Sequence, residues 1–200
     1  MTIFASLLMP SQDTSFARLV SLACHDLRTP LATIYGFART IQRAEPAGGT
    51  LARYIEMIVA ASGEMTDLLE ELAVVARIEA ERYEPVLAPV DTLELVREAL
   101  PGTEGQGVEV ETDRAAVVRS LIAFADCARK HGGVEAVSAV VDGADVRLSP
   151  IEPRCAGVIM GDELKDLGAA VAHRVLRALH AEVQLDGEEL RISLAASPGS

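Results

Sequence analysis

The chain has 200 residues, half of them apolar, a formal net charge of −12 and lysine only at Lys130 and Lys165. That is enough apolar matter for one or two small cores, and the acidic balance argues against a nucleic-acid binder, which needs a basic face for phosphates. Scarce aromatics, no Trp and an abundance of Ala, Leu and Val favour packed helices. The apolar run Thr2–Met9 lacks a basic flank and is too short to span a bilayer. Residues 12–44 then read as one long helix, roughly 50 Å at 1.5 Å per residue. Val20, Leu27, Ile34 and Ile41 recur every seven residues, as do Phe16, Ala23, Pro30, Phe37 and Ala44. These are two seams of a coiled-coil face. His25 falls two positions after the second seam, so its ring is expected in solvent. Pro30 removes the helical partner of the Asp26 carbonyl.

Glu45, Pro46, Ala47, Gly48 and Gly49 form a stop and a short connection. A second helix is expected from about Thr50 to Tyr83, with seams Leu51, Ile58, Met65, Leu72 and Ile55, Ser62, Leu69, Ala76. One hairpin cannot bury all four seams, so two copies are expected to pair as a four-helix bundle in a homodimer. Glu84–Pro89 reads as a linker. Beyond it, helices are expected at 91–100, 113–130 and 161–181. Strands are expected at 108–110, 134–141, 144–148, 183–185 and 190–194, with Asp142-Gly143 as a hairpin turn. Helices on one side of a mixed sheet make an α/β sandwich. The domain reading is therefore 1–84 for the helical hairpin and 90–200 for the α/β domain.

The run Ser21-Leu-Ala-Cys-His-Asp-Leu-Arg-Thr-Pro-Leu31 resembles the phospho-acceptor box of sensor histidine kinases. The resemblance implies that His25 carries a phosphoryl group, that Asp26 and Thr29 flank it as helper groups, and that Arg28 contacts phosphate or partner, since a guanidinium binds phosphate bidentately. The alternative for Arg28 is a pair with a helix-face acid such as Asp26. Residues 90–195 resemble the ATP-binding domain of the same kinases, with its three nucleotide boxes altered. Where the family has a magnesium-binding asparagine, this chain has Ala123 and Cys127, poor ligands for an ion that wants hard oxygen donors. Where the family has Asp-x-Gly-x-Gly, it has Ser149-Pro150-Ile151-Glu152-Pro153. Where the family has Gly-x-Gly-Leu at a helix start, it has Asp166-Leu167-Gly168-Ala169, which sets negative charge in place of phosphate oxygens.

The expectation is thus a histidine phosphotransferase of the degenerate-kinase type. It would relay a phosphoryl group between receiver-domain aspartates through His25, with no cofactor bound by this chain and Mg2+ supplied by the receiver. Its expected partners are response-regulator receiver domains, an upstream hybrid kinase and a second copy of the chain, with no membrane and no nucleic acid. Two alternatives are an ATP-dependent sensor kinase with a divergent nucleotide site and a non-catalytic scaffold or inhibitor that grips response regulators. Cys24, Cys127 and Cys155 are odd in number and show no metal spacing, which fits a reduced, cytoplasmic compartment. Cys24 is expected to pack as a small apolar residue, and His131, His173 and His180 to be solvated or capping. Full-length sensor kinases usually carry membrane spans or sensory domains; none fits here, so, if the chain is complete, the signal is expected to arrive from other proteins.

Overall fold

A computed structural model describes residues 12–43 and 49–194. The expected connection at Glu45–Gly49 lies almost wholly outside them, as does the Thr2–Met9 run. The chain divides into two compact units between Leu69 and Glu70, inside a helix and upstream of the 84–90 segment where the sequence suggests a boundary. Helix α1 covers Gln12–Arg43 and runs through Pro30 without a break; helix α2 covers Gly49–Glu79. In the first unit Phe37, near the end of α1, meets Tyr54, near the start of α2, with ring centroids 5.2 Å apart, so the helices form a hairpin. Leu19, Ala23 and Ala61 are buried on the apolar faces.

α2 stops at Glu79, four residues before the expected end. Glu81 turns left-handed (φ 54°), and its N–H bonds back to the Ile78 carbonyl at 3.0 Å. The last turns of α2 belong to the second unit, where Glu79 pairs with Arg174 (3.4 Å).

The rest of the second unit is β1 (Ala88–Asp91), α3 (Thr92–Ala99), β2 (Glu104–Gly107), β3 (Glu109–Thr112) and α4 (Arg114–Cys127), which ends in a π-helical turn at Ala128–Gly132. There follow β4 (Ser138–Gly143), β5 (Asp145–Ser149), α5 (Pro153–Ile159), α6 (Leu167–Ala178), β6 (Glu182–Asp186) and β7 (Glu189–Ser193). β1 pairs with β3 alone; the main sheet runs β2-β4-β5-β7-β6, parallel only between β2 and β4. Burial alternates along β4, β5 and β7, the signature of a sheet covered on one face. Val141, Val146, Leu148, Leu190 and Ile192 point into the core with Leu121 and Phe124 of α4 and Leu176 of α6.

Several elements depart from the sequence reading. β1 was expected as linker; it exists because Val90 is buried opposite Val110, and Pro89 is tolerated in a two-stranded pair. β2 reads Glu-Gly-Gln-Gly, with no strand propensity of its own, and is set by its ladder to β4. Gly105 (φ 127°) approaches so closely that an added Cβ would lie 1.9 Å from the Val141 oxygen. The β4–β5 turn falls at Gly143-Ala144, one residue late, with Gly143 left-handed. The expected helix 161–181 begins only at Leu167, because Asp166 caps it, and Gly161 (φ 79°) ends the segment after α5. α5 itself starts on Pro153, a residue suited to a first helical turn.

Candidate functional site

In the first unit His25 and Asp26 share one turn of α1. His25 leaves the helix away from the buried Ala23, and its side chain is 75% exposed. Its Nδ1 lies 3.1 Å from Asp26 Oδ1. With Nδ1–H donating to that carboxylate, the Nε2 lone pair is free in solvent, the tautomer a nucleophilic imidazole needs. Asp26 is turned to His25 rather than to Arg28. Thr29 lies one turn beyond His25 and is exposed. Arg28 and Thr29 instead open a groove of about 630 Å³ along α1, continued by Thr33, Gly36 and Thr40. Cys24, expected to pack, is exposed: one residue after the buried Ala23, the helix has already rotated about 100°.

In the second unit, Cys127, His131 and Asp166 converge. Asp166 caps α6, its Oδ1 accepting from the Ala169 N–H at 3.0 Å. Its Oδ2 lies 3.1 Å from His131 Nε2 and 3.5 Å from Lys130 Nζ. One free donor of the helix start, where an anion would otherwise bind, is thus met by the protein's own carboxylate. Cys127 is fully buried. Burial, and then the Asp166 carboxylate, push its thiol up to about 12. Magnesium does not fit this donor set: a thiol replaces the oxygen donor, and the adjoining Ala123 supplies none. Ile151 is buried and donates to the Glu188 carbonyl at 2.8 Å. The segment after β5 is therefore a packed turn leading into α5.

His131 corrects the sequence reading: it is half-buried and bonded to Asp166, and Gly133 (φ 66°) is the left-handed cap that ends the π turn. His173 is corrected likewise. It is partly buried and meets Phe124 edge-on at 5.5 Å, and burial lowers its pKa below 6.5. His180 ends α6 in the left-handed region (φ 59°), its N–H bonded to the Arg177 carbonyl, as a capping residue should. Asp113 caps α4 through the Ala116 N–H at 3.0 Å. The meeting of Cys127 and His131 with Asp166 escaped the sequence reading. The Cys-x-x-x-His spacing signals one helix face, but the third residue is 35 positions further on.

Residues 17–81 match the His Kinase A (phospho-acceptor) domain family. Over 92% of its length the chain is 29% identical to histidine protein kinase DivJ of Caulobacter vibrioides, of which it covers 36%. Over 70% it is 26% identical to the probable sensor histidine kinase TcrY of Mycobacterium tuberculosis, of which it covers 29%. It spans about a third of the length of these relatives. Among solved structures, the Acinetobacter baumannii histidine kinase AdeS superposes with a TM-score of 0.65 at 18% identity, covering 86% of this chain and 98% of that one. Full-length ShkA in complex with AMPPNP gives 0.50 at 22% identity, covering 91% of this chain and 47% of that one. No helix among the described residues is long and apolar enough to cross a membrane. Residues 17–81 are therefore similar to a histidine-kinase phospho-acceptor domain, and the α/β domain that follows has a histidine-kinase-like fold.

Proposed function

We propose that this chain is a histidine phosphotransferase that relays phosphoryl groups between receiver-domain aspartates without using ATP. His25 Nε2 attacks the phosphorus of an aspartyl phosphate. A nitrogen–phosphorus bond forms and the aspartate carboxylate leaves; the reverse step delivers the group to a second receiver. Asp26 holds the ring by Nδ1 and stabilises the positive charge that develops on it. Transfer of this kind rests mainly on positioning and on neutralising the phosphoryl oxygens; here the receiver brings the magnesium. Thr29, on the same face, is placed to orient water for dephosphorylation of the receiver. The groove beside Arg28 and Thr29 is offered as part of the receiver's docking surface.

The observation that carries the ATP-independent half of the reading is Asp166. Its carboxylate caps the start of α6, so a nucleotide phosphate there would meet a like charge and a helix end with one of its donors already engaged. The relatives favour a second reading, an ATP-dependent kinase: two are named as kinases, and ShkA was solved with AMPPNP.

A homodimer is proposed as well. Val59 and Leu69 of α2 are 64% and 52% exposed in the single chain, and Ile55 shares their stripe. Pairing two hairpins would cover a stripe of this kind.

One experiment separates the readings. The chain is incubated with a phosphorylated receiver domain and, separately, with labelled Mg-ATP. Acid-labile label on His25 from the receiver and none from ATP is the expected result. Label from ATP would establish the kinase; label from neither would favour a scaffold.

A further inference from the structure

We propose that Cys127, His131 and Asp166 form a binding site for one divalent metal ion of the zinc class. The three donor atoms lie within 4.8 Å of one another, and His131 Nε2 and Asp166 Oδ2 are already 3.1 Å apart. Zinc bonds of about 2.0–2.3 Å place tetrahedral donors roughly 3.3–3.7 Å apart, so the cluster needs to close by about an ångström at its widest. Thiolate, imidazole and carboxylate together suit zinc or cobalt and not magnesium. Asp166 Oδ1 is tied to the Ala169 N–H, which leaves Oδ2 as the ligand atom in a fixed direction. A π-helical turn spans Ala128–Gly132, beginning just after Cys127 and containing His131, a distortion that recurs at functional sites. A water would complete the fourth position.

The charges around the cluster suit a cation: the Cys127 thiol lies beside the Asp166 carboxylate, and a divalent ion deprotonates a coordinating thiol. The opposing charge is Lys130, 3.5 Å from Asp166 Oδ2. Its side chain is mostly exposed, so the ammonium can swing into water at little cost. Cys155 is close enough to interact with Cys127, but its Sγ donates to the Glu152 carbonyl at 3.1 Å and is not counted as a ligand. The site is independent of His25, so phosphotransfer stands or falls separately.

The test uses the full chain, stripped with a chelator and titrated with Co2+. One ion per chain is expected, with the sulfur-to-cobalt charge-transfer absorption and strong d–d bands of a tetrahedral site. Zn2+ displaces the cobalt and excess Mg2+ does not. Cys127→Ser should remove the charge-transfer band, and His131→Ala should weaken binding at least about 10-fold; Cys24→Ser should change neither. Circular dichroism checks folding, and if Cys127→Ser fails to fold, the partly exposed His131→Ala decides. No cobalt binding at micromolar protein, an octahedral spectrum without a sulfur band, or affinity unchanged in His131→Ala would overturn the proposal.

Discussion

The turn of α1 around His25 and the start of α6 around Asp166 treat their charged groups in opposite ways. On α1 an imidazole lies in solvent beside a half-buried carboxylate, and the one contact between them leaves a ring nitrogen open. At α6 a carboxylate and an imidazole are partly buried, and their contacts close the place where a ligand anion would bind. The same two residue types thus serve exposure in one region and occupancy in the other. What separates them is the backbone beneath. A helix middle has no free donors, so the Asp26 carboxylate is left to its neighbour. A helix start offers several, and Asp166 takes one, the Ala169 N–H.

His25→Ala tests the open half most severely. It should abolish phosphoryl acceptance from a receiver, with an unchanged thermal unfolding midpoint, because the exposed ring supports no core; normal transfer by this variant would remove His25 from the site. Asp26→Asn should slow transfer about 10²-fold without weakening receiver binding, read by stopped-flow transfer and by titration calorimetry. Equal losses in both would make Asp26 a docking residue.

Asp166→Ala tests the closed half. With chelator present, the lost cap should lower unfolding free energy by about 1 kcal/mol in urea titrations. Mg-ATP should still bind no better than about millimolar, because Cys127 and the packed turn at Ile151 remain. Micromolar binding would mean that Asp166 alone bars the nucleotide.

A smaller effect concerns His173. Burial lowers its folded-state pKa below 6.5. In acid the unfolded chain therefore takes up a proton that the folded one resists. Stability should be flat above about pH 7 and fall as pH drops below about 6.5, and His173→Leu should flatten that fall between roughly pH 6.5 and 5. An identical slope in the variant would show that carboxylates alone set it. Thr29→Ala should have the least effect: transfer within about twofold of wild type, with a loss confined to any receiver dephosphorylation. A large transfer defect would move Thr29 from water positioning into the transfer step itself.

Heptad spacing by itself determined α1, most of α2 and the outward direction of His25, because a long amphipathic helix reports its buried face through local periodicity. Asp91, Asp113 and Asp166 stand where helix starts need an acceptor; the sequence reading took Asp166 for a bare negative charge. β1 and β2 were beyond such reading. Four-residue strands containing Pro89 or Gly105 have no pattern to recognise, and exist because Val110 and Val141 lie opposite them. The same holds for Cys127, His131 and Asp166. Two of them share a helix face in sequence, but the third is brought in by the packing of α4 on α6. Periodicity is a property of one segment; which segments meet is decided by the shared core that buries them.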